Sequence, residues 1–369
     1  MDTISGQTVA KDLSYINNFQ QKFEDTAVFA ELTYDVTDTW QVTGGMRAFW
    51  QDFSNKQQNG AFFTARSLLA LDLDPSLAVR SIEANTTVND VIFKFNTSLD
   101  VGENSKLYAT WSEGFRRGGA NGLPPVIFDF GLFDVLNVNP DLFNYTPDKV
   151  TNYEVGLKGR ISGLSYTLSA FYIDWEDFQI NESVTSNALS AVINGGDAKS
   201  KGIEFEINGN LTPNLNVMAS YTYTKSHVSK YSELLVDEVL FGADPDDTSV
   251  QMPGTPEHSA SWAAIYTHDL DSGDQLAFDV VGSYSSSVTT SIFPGASRAI
   301  NDYAFFNFGA TYSAELWDLR LYVDNAFNQR AVYSSEGVRT ESVIGNQLAN
   351  FWISRPRTIG LGFTYHFGA

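Results

Sequence analysis

The chain has 369 residues, a formal net charge of −21, no cysteine and an aromatic content of 14%. Its acidic balance excludes nucleic acid as a partner, because a protein that neutralises phosphates needs a basic face. No stretch approaches the ~18 consecutive apolar residues that a membrane helix needs, so this chain can cross a bilayer only as a closed β-barrel. The lack of cysteine fits the bacterial periplasm or outer membrane, and it equally fits a bacterial protein that simply uses little cysteine.

Apolar residues alternate with small or polar ones along the whole chain. This alternation predicts about thirteen β-strands, because successive side chains of a strand point to opposite faces. In chain order, the predicted strands are Ala27–Asp35, Trp40–Phe53, Val88–Leu99, Lys106–Phe115, Val150–Ile161, Leu164–Ile180, Lys201–Asn208, Asn214–Val228, Ser259–His268, Gln275–Ser285, Tyr303–Tyr312, Asp318–Phe327 and Thr358–Phe367.

The last predicted strand shows the alternation most clearly. One of its faces carries only apolar residues, Ile359, Leu361, Phe363, Tyr365 and Phe367, while the other carries glycine, threonine and histidine. An apolar row that ends in aromatic residues, backed by a small and polar row, is typical of a strand between lipid and a wet lumen. A half-buried strand of a soluble sandwich shows the same alternation, so the connections between the strands must decide.

The connections alternate between tight turns and long loops. Tight turns are predicted near residues 36–38, 102–104, 162–163, 209–213, 270–274 and 314–315, and long loops near residues 54–87, 116–149, 181–200, 229–258, 286–302 and 328–357. Outer-membrane barrels have short periplasmic turns and longer extracellular loops, whereas a soluble sandwich has no reason for this asymmetry. The sequence therefore predicts an all-β fold, a transmembrane antiparallel β-barrel in the outer membrane of a Gram-negative cell.

The strand count predicts how the chain is oriented. The final strand runs towards the periplasm, and counting back through about thirteen strands makes the first strand run inward as well. We therefore expect residues 1–369 to form a single, partial barrel domain, in which residues 1–26 are the remnant of an extracellular loop. No basic and apolar leader pattern follows Met1, which fits a chain truncated within that loop. The alternative is a further strand hidden within residues 1–26.

Five short segments resemble the barrel of the TonB-dependent outer-membrane receptors. They are Tyr108–Asn121, Glu154–Lys158, Gly202–Glu206 (with Asn194-Gly-Gly shortly before it), Asn325–Phe327 and Arg355–Arg357. Their order along the chain is that of the family. The resemblance covers nearly the whole chain from Val88 onward.

The resemblance implies a barrel of about 22 strands that is filled by an N-terminal plug domain and imports a scarce ligand with energy relayed by TonB. The expected partners are TonB, the plug domain, outer-membrane lipid including lipopolysaccharide, and a small-molecule ligand, with an iron chelate such as a ferric siderophore favoured. A vitamin or saccharide receptor and a passive, porin-like diffusion channel are the alternatives. Because no segment resembles the plug, we expect this chain not to perform energised transport on its own.

The predicted ligand site lies where the fourth predicted strand enters its long loop. Arg116 and Arg117 provide two guanidinium groups that can bind an anionic chelate through paired hydrogen bonds. Trp111 and Phe115 are predicted stacking surfaces nearby, and Asn121 completes the candidate set. The competing interpretation is that the two arginines pair with acids of the loops or the rim.

No constellation of catalytic residues is visible, so we predict that the protein is not an enzyme and holds no cofactor or resident metal. His227, His258, His268 and His366 are scattered over different strands and turns without metal-ligand spacing. The acidic residues of the 233–247 loop can offer oxygen ligands to Ca²⁺. They lack the regular spacing of a calcium loop, which favours a solvated acidic loop.

Two arginines precede the last strand. Arg355 and Arg357 share the parity of Ile359 and of the outward apolar row. A tilted strand rises roughly 2.5 Å per residue, which places Arg357 about 25 Å above Phe367, near the top of the apolar band. We therefore expect Arg357 to meet the phosphates of lipopolysaccharide, unless a bulge reverses the parity.

Overall fold

The computed structural model of the chain describes residues 2–4, 7–9, 15–61, 79–121, 126–129, 134–137, 139–183, 190–235, 250–292, 298–337 and 349–367. Thirteen strands form one antiparallel sheet, in which each strand pairs with the strands before and after it in the chain. They are β1 (Tyr15–Thr37), β2 (Trp40–Ala61), β3 (Val79–Asp100), β4 (Ser105–Arg116), β5 (Asp148–Ile161), β6 (Leu164–Glu176), β7 (Gly196–Thr212), β8 (Leu215–Tyr231), β9 (His258–Asp269), β10 (Gln275–Ser285), β11 (Tyr303–Ser313), β12 (Trp317–Asp324) and β13 (Thr358–Tyr365). Each corresponds to one predicted strand, so the predicted antiparallel all-β fold and its strand order are confirmed.

The first three strands are longer than the alternation predicts. β1 and β2 stay paired from their turn out to Tyr15 and Ala61, and β2 pairs with β3 back to Val79. Most residues of these extensions are polar. The extensions are therefore held together by backbone hydrogen bonds between strands, which an apolar–polar pattern cannot reveal. Residues 15–26 belong to β1, and the assignment of residues 1–26 to an extracellular segment stays a prediction.

Shorter elements lie outside the main sheet. The described residues include six two-stranded ribbons: Asp2–Ile4 with Gln7–Val9, Gly119–Ala120 with Asn144–Tyr145, Val126–Asp129 with Asp134–Asn137, Gln179–Ser183 with Ser190–Asn194, Val288–Thr289 with Ala299–Ile300, and Val332–Gly337 with Ala349–Ile353. A 3₁₀ turn spans Pro140–Phe143, and a single helical turn spans Glu233–Leu235. In the described ranges, no helix has the length and apolar character to cross a membrane.

The register aligns the predicted rows of side chains across the sheet. In β7, Phe205 lies between Leu168 of β6 and Tyr221 of β8, and all three side chains are exposed. On the opposite face, ion pairs join side chains of different strands: Glu31 with Lys94, Asp100 with Lys106, Asp279 with Arg320, and Asp318 with His366. Exposed pairs of this kind contribute only ~0–1 kcal/mol each, so they indicate a wetted surface. We call these two surfaces the apolar face and the polar face.

Tight turns join the strands at one end of the sheet, and the strand ends that the long connections join lie at the other end. Ser162 and Gly163 form the two-residue turn between β5 and β6, with φ of 47° and 86°. Two consecutive positive φ angles match the twist of a tight hairpin, and glycine reaches them without strain. The predicted asymmetry of the connections is confirmed. We call the end with the long connections the mouth.

The sheet has two free edges within the described residues. β1 pairs only with β2, and β13 pairs only with β12. In lipid, each unpaired backbone group costs several kcal/mol, so both edges must be paired in a membrane-embedded form of this sheet. That further strands provide this pairing stays a prediction. The described parts of residues 1–26 supply none, because Asp2–Ile4 pairs only with Gln7–Val9.

Candidate ligand-binding site

An apolar cluster packs at the mouth. It consists of Leu142, Phe178, Ala191, Ile193, Ala198, Val228, Tyr231, Leu235 and Ile292, and we call it the mouth cluster. Phe178 and Leu235 are fully buried, and the Tyr231 hydroxyl donates a hydrogen bond to the carbonyl of Ile292 at 3.0 Å. The members come from several long connections and from the ends of β7 and β8. The cluster therefore ties these connections into one packed unit.

Arg116, the last residue of β4, is held by a buried carboxylate. Asp148 is fully buried and accepts hydrogen bonds from Arg116 Nε at 2.8 Å, from the Arg116 backbone N–H at 3.0 Å and from Trp175 Nε1 at 3.0 Å. Arg116 Nη2 forms an ion pair with the same carboxylate and donates to the carbonyl of Gln179 at 3.1 Å. A buried carboxylate needs such a partner, because an uncompensated charge is costly there. Arg116 is thus paired with an acid at the mouth. For this arginine, the pairing agrees with the competing interpretation, in which the arginines pair with acids of the protein.

Asn121 joins two of the long connections. Its buried side chain donates to the carbonyls of Leu142 at 2.8 Å and Val192 at 2.6 Å, and its Oδ1 accepts from the Val192 N–H at 2.9 Å. These bonds tie the β4–β5 connection to the ribbon that follows β6. Asn121 therefore shapes the mouth with a side chain that is already hydrogen-bonded.

Arg117 is placed differently from its neighbour. Its guanidinium carbon lies 4.5 Å from the ring centre of Phe23 and 5.4 Å from that of Phe53, two register partners on β1 and β2. The residue is exposed, and no acid in the described ranges forms an ion pair with it. Stacking on aromatic rings positions a guanidinium without neutralising its charge. Arg117 can therefore offer its N–H groups to an anion.

Phe115 lies against the same part of β2. Its ring stacks on that of Phe49, with 4.0 Å between centroids and 3° between planes, and Phe49 is fully buried. Gln51 and Asn55 follow Phe49 along β2 and are buried too, with 7% and 3% of their surfaces exposed. In the part of the chain that the structure describes, neither Gln51 Oε1 nor Asn55 Oδ1 has a hydrogen-bond partner. A buried acceptor without a partner costs ~1–3 kcal/mol, so these oxygens are positions where a ligand donor or a water is expected.

Trp111 is separated from this group. It is the register partner of Phe95 on β3 and of Tyr153 on β5, both exposed on the apolar face. Together with Tyr172 these residues line an open groove of about 500 Å³. The structure thus brings together Phe115, Arg116, Arg117 and Asn121 at the mouth, and it places Trp111 on the apolar face.

Two contacts were not predicted from the sequence: that of Arg117 with Phe23 and Phe53, and that of Phe115 with Phe49. A signal was present in β2, where the row that includes Arg47 and Gln51 also contains Phe49 and Phe53. Two phenylalanines in a row of polar residues indicate rings on the polar face. Their contact with a loop arginine depends on how the β4–β5 connection folds back, which no local pattern predicts.

A second aromatic group lies at the mouth on the polar face. Tyr303 and Phe305 of β11 contact Tyr333 of the last ribbon, with centroid distances of 5.6 and 6.0 Å. Burial, and then the neighbouring Tyr303, raise the pKa of Tyr333. These rings offer another stacking surface to a planar ligand.

No described residues form a group of three or more histidine or acidic side chains that could hold a metal ion. His258 Nδ1 lies 2.9 Å from the Tyr221 hydroxyl, and His366 Nε2 lies 2.8 Å from Asp318. Most of the acidic 233–247 loop, including residues 236–247, lies outside the described residues, as does any calcium site there.

The two arginines before β13 are exposed. The Arg357 backbone N–H donates to Asn328 Oδ1 at 3.0 Å, and its guanidinium reaches the carbonyl of Ala326 at 3.4 Å. The Arg355 carbonyl accepts from Asn325 Nδ2 at 2.8 Å. These contacts connect the start of β13 to the end of β12, and a contact of Arg357 with lipopolysaccharide stays a prediction.

The sequence matches one protein family over most of its length. A family described as "TonB dependent receptor-like, beta-barrel" matches residues 3–326. The chain is 23% identical over 262 residues to the probable TonB-dependent siderophore receptor PiuA of Acinetobacter baumannii, covering 68% of this chain and 30% of that protein. It is 21% identical over 347 residues to the pesticin receptor of Yersinia pestis, covering 93% of this chain and 44% of that protein.

The fold has a solved counterpart. The structure is similar to that of the ferric yersiniabactin uptake receptor FyuA from Yersinia pestis, with a TM-score of 0.69 and 17% sequence identity. That similarity covers 94% of this chain and 46% of the solved one. The chain thus spans less than half the length of these three proteins.

Proposed function

This chain belongs to the TonB-dependent receptor β-barrel family, whose members lie in the Gram-negative outer membrane, and we propose that it forms part of a receptor that imports a ferric siderophore. The relatives and the solved structure that it resembles are named for siderophores, for pesticin and for ferric yersiniabactin. The proposed partners are TonB, a plug domain inside the barrel and a small iron chelate. The remaining strands and the plug would come from sequence beyond this chain.

The ligand proposal rests on how Arg117 is placed. Its guanidinium rests on Phe23 and Phe53 without an acid partner among the described residues. Iron chelates carry anionic or strongly polar oxygens, which a guanidinium binds through two parallel hydrogen bonds. The aromatic rings beside it offer stacking surfaces to the organic part of a chelate. The free oxygens of Gln51 and Asn55 can accept hydrogen bonds from its amide or hydroxyl groups.

The predicted site residues then divide into two roles. We propose that Arg117 contacts the ligand. Phe115 supports the site by stacking on the ring of Phe49. Arg116 and Asn121 position the mouth, because their side chains are already engaged by protein groups. Trp111 lies on the apolar face of the sheet, away from the proposed contact.

The test is the uptake of radioactive iron by Gram-negative cells that produce the full-length protein, with TonB present or deleted. Catecholate, hydroxamate and carboxylate chelates are offered separately. We expect one class to accumulate only when TonB is present. Arg117→Ala should lower that uptake about tenfold, because a charge-assisted hydrogen bond contributes ~1.5–3 kcal/mol. Arg117→Lys should have an intermediate effect.

Arg330→Ala is the matched control, because Arg330 is an exposed arginine of a different long connection. It should leave uptake unchanged. Uptake that does not depend on TonB, together with steady conductance in planar bilayers, would favour a porin-like channel. Accumulation of a vitamin or a saccharide, and of none of the iron chelates, would favour the other receptor class.

A further inference from the structure

Four basic side chains lie next to one another near the mouth ends of β7 and β8. Lys199 is the register partner of His227, and Lys201 is the register partner of Lys225. Side chains directly opposite on neighbouring antiparallel strands have Cβ atoms about 4.5–5.5 Å apart. We call these four residues the basic cluster.

The basic cluster continues the apolar face. Lys201 and Lys225 lie two positions beyond Ile203 and Tyr223, which are register partners themselves, so all four point to the same side of the sheet. On its other side, Lys201 is opposite Tyr172 of β6, an exposed ring of the apolar face. A tilted strand rises roughly 2.5 Å per residue, so the ammonium groups start about 5 Å above the apolar row.

This position corresponds to the outer surface of the membrane. β8 runs from a tight turn to the long connection at the mouth, which is the extracellular direction in an outer-membrane barrel. Tyr221 and Tyr223 of β8 lie just below the cluster, and both contact the ring of His258. Aromatic rings of this kind mark the boundary between lipid and water.

Among the residues that the structure describes, no ion pair neutralises the lysines of the cluster. No acid in the described ranges forms an ion pair with Lys199, Lys201 or Lys225, although Asp174 is the register partner of Lys199. Five other lysines of the strands are paired: Lys22 with Glu24, Lys56 with Glu83, Lys94 with Glu31, Lys106 with Asp100, and Lys149 with Asp90. Like charges directly opposite each other destabilise a sheet. In a chain with a net charge of −21, such a concentration of lysines indicates an external anion.

We propose that the basic cluster binds the phosphate groups of lipopolysaccharide in the outer leaflet. The ammonium groups of Lys201 and Lys225 donate charge-assisted hydrogen bonds to a phosphate, and Lys199 extends the positive surface. The acyl chains of the same lipid then lie along Ile203 and the tyrosine rings below. This site is on β7 and β8 and is distinct from the predicted lipid contact of Arg357 beside β13. It does not depend on which ligand the receptor imports.

The test measures lipid binding to the purified full-length protein. Bisphosphorylated lipid A, or the same lipid without its phosphates, is titrated into the protein in detergent, and bound lipid is counted by native mass spectrometry. We expect the phosphorylated lipid to bind at least about tenfold more tightly. Lys201→Gln/Lys225→Gln should remove most of this preference, because each lysine near an anionic surface contributes about fivefold in affinity.

Two further variants separate charge from folding. Lys94→Gln/Lys158→Gln removes the same charge from the polar face and should leave lipid binding unchanged. Lys201→Arg/Lys225→Arg keeps the charge and should retain the preference. Equal binding of the two lipids to the wild-type protein, or an unchanged preference in Lys201→Gln/Lys225→Gln, would overturn the proposal. Displacement of the lipid by millimolar inorganic phosphate would assign the site to free phosphate and overturn it as well.

Discussion

The thirteen-stranded sheet, which we call the wall, and the mouth cluster are stabilised in different ways. On the apolar face of the wall, large side chains stay exposed, as in Leu361 at 70% and Ile359 at 68%, whereas Phe178 and Leu235 of the mouth cluster are at 0%. The wall depends on backbone ladders and on lipid that covers its apolar face. The mouth depends on side chains packed against each other, as in a soluble protein. The same kind of substitution should therefore have different effects in the two regions.

The largest expected effect comes from Phe178→Ala in the mouth cluster. Removing a buried phenylalanine costs ~3–5 kcal/mol, because a cavity is left behind. We expect faster hydrogen exchange in the Gln179–Ser183 and Ser190–Asn194 ribbon, with unchanged exchange in β7 and β8 below it. Leu361→Ala on the apolar face is the control and should leave exchange at the mouth unchanged. Equal protection of the ribbon in Phe178→Ala and in the wild type would contradict a packed mouth.

Arg116→Ala should be nearly as costly, at ~3 kcal/mol, because it leaves the charge of the buried Asp148 without its main partner. Thermal unfolding followed by near-UV circular dichroism, to which Trp175 beside Asp148 contributes, would report the loss. Adding Asp148→Asn should recover part of the stability, since the uncompensated charge is then gone.

An ion pair in the wall, between Arg320 and Asp279, provides the comparison with Arg116 and Asp148. Arg320→Ala breaks an ion pair with Asp279, whose side chain is 15% exposed where that of Asp148 is 0% exposed. A partly exposed pair contributes only ~0–1 kcal/mol. If both arginine substitutions destabilise the protein equally, burial of the acid is not what distinguishes the mouth from the wall.

Gly156→Ala should have a moderate effect within the wall. A Cβ atom at Gly156 would lie 2.5 Å from Tyr108 Cζ, so the ring must move and lose the hydrogen bond that its hydroxyl donates to Glu154. Overpacking of this kind costs ~1–3 kcal/mol. Gly44→Ala meets nothing within 4 Å and should be neutral or slightly stabilising. Urea unfolding of the two variants in lipid vesicles compares them.

Arg117→Ala should have the smallest effect on stability, within about 0.5 kcal/mol, because Arg117 is exposed and pairs with no described acid. Comparing the thermal unfolding of Arg117→Ala with that of Arg116→Ala checks this difference between two adjacent arginines. A loss of stability as large as that of Arg116→Ala would show that Arg117 holds the mouth together, and its proposed role at the ligand would then need another explanation.

The wall was largely predictable from the sequence, because strand alternation is a local property. The alternation at Ile203–Ile207 and the turn at Ser162-Gly163 both correspond to observed elements. The outer halves of β1 and β2 were not predictable in the same way, since their polar residues carry no apolar row. Backbone pairing alone extends them.

The mouth was only partly predictable. Motif and charge predicted a ligand site with Phe115, Arg116, Arg117 and Asn121 at the mouth end of β4, and their binding of a ligand stays a prediction. The sequence could not distinguish the two arginines, because the difference arises from Asp148, which lies 32 residues further on, and from Phe23, which comes from β1. Contacts between residues so distant in the chain depend on the whole sheet and on the loop that folds against it.

A cysteine scan of β7 tests most directly whether the sheet separates lipid from water. The chain has no cysteine of its own, so single cysteines at positions 203, 204, 205 and 206 can each carry a fluorophore in the full-length protein in vesicles. A lipid-dissolved quencher should act on positions 203 and 205, and a water-soluble quencher on positions 204 and 206. Equal quenching at all four positions, or the reverse order, would contradict a wall with one face in lipid and the other in a wet lumen.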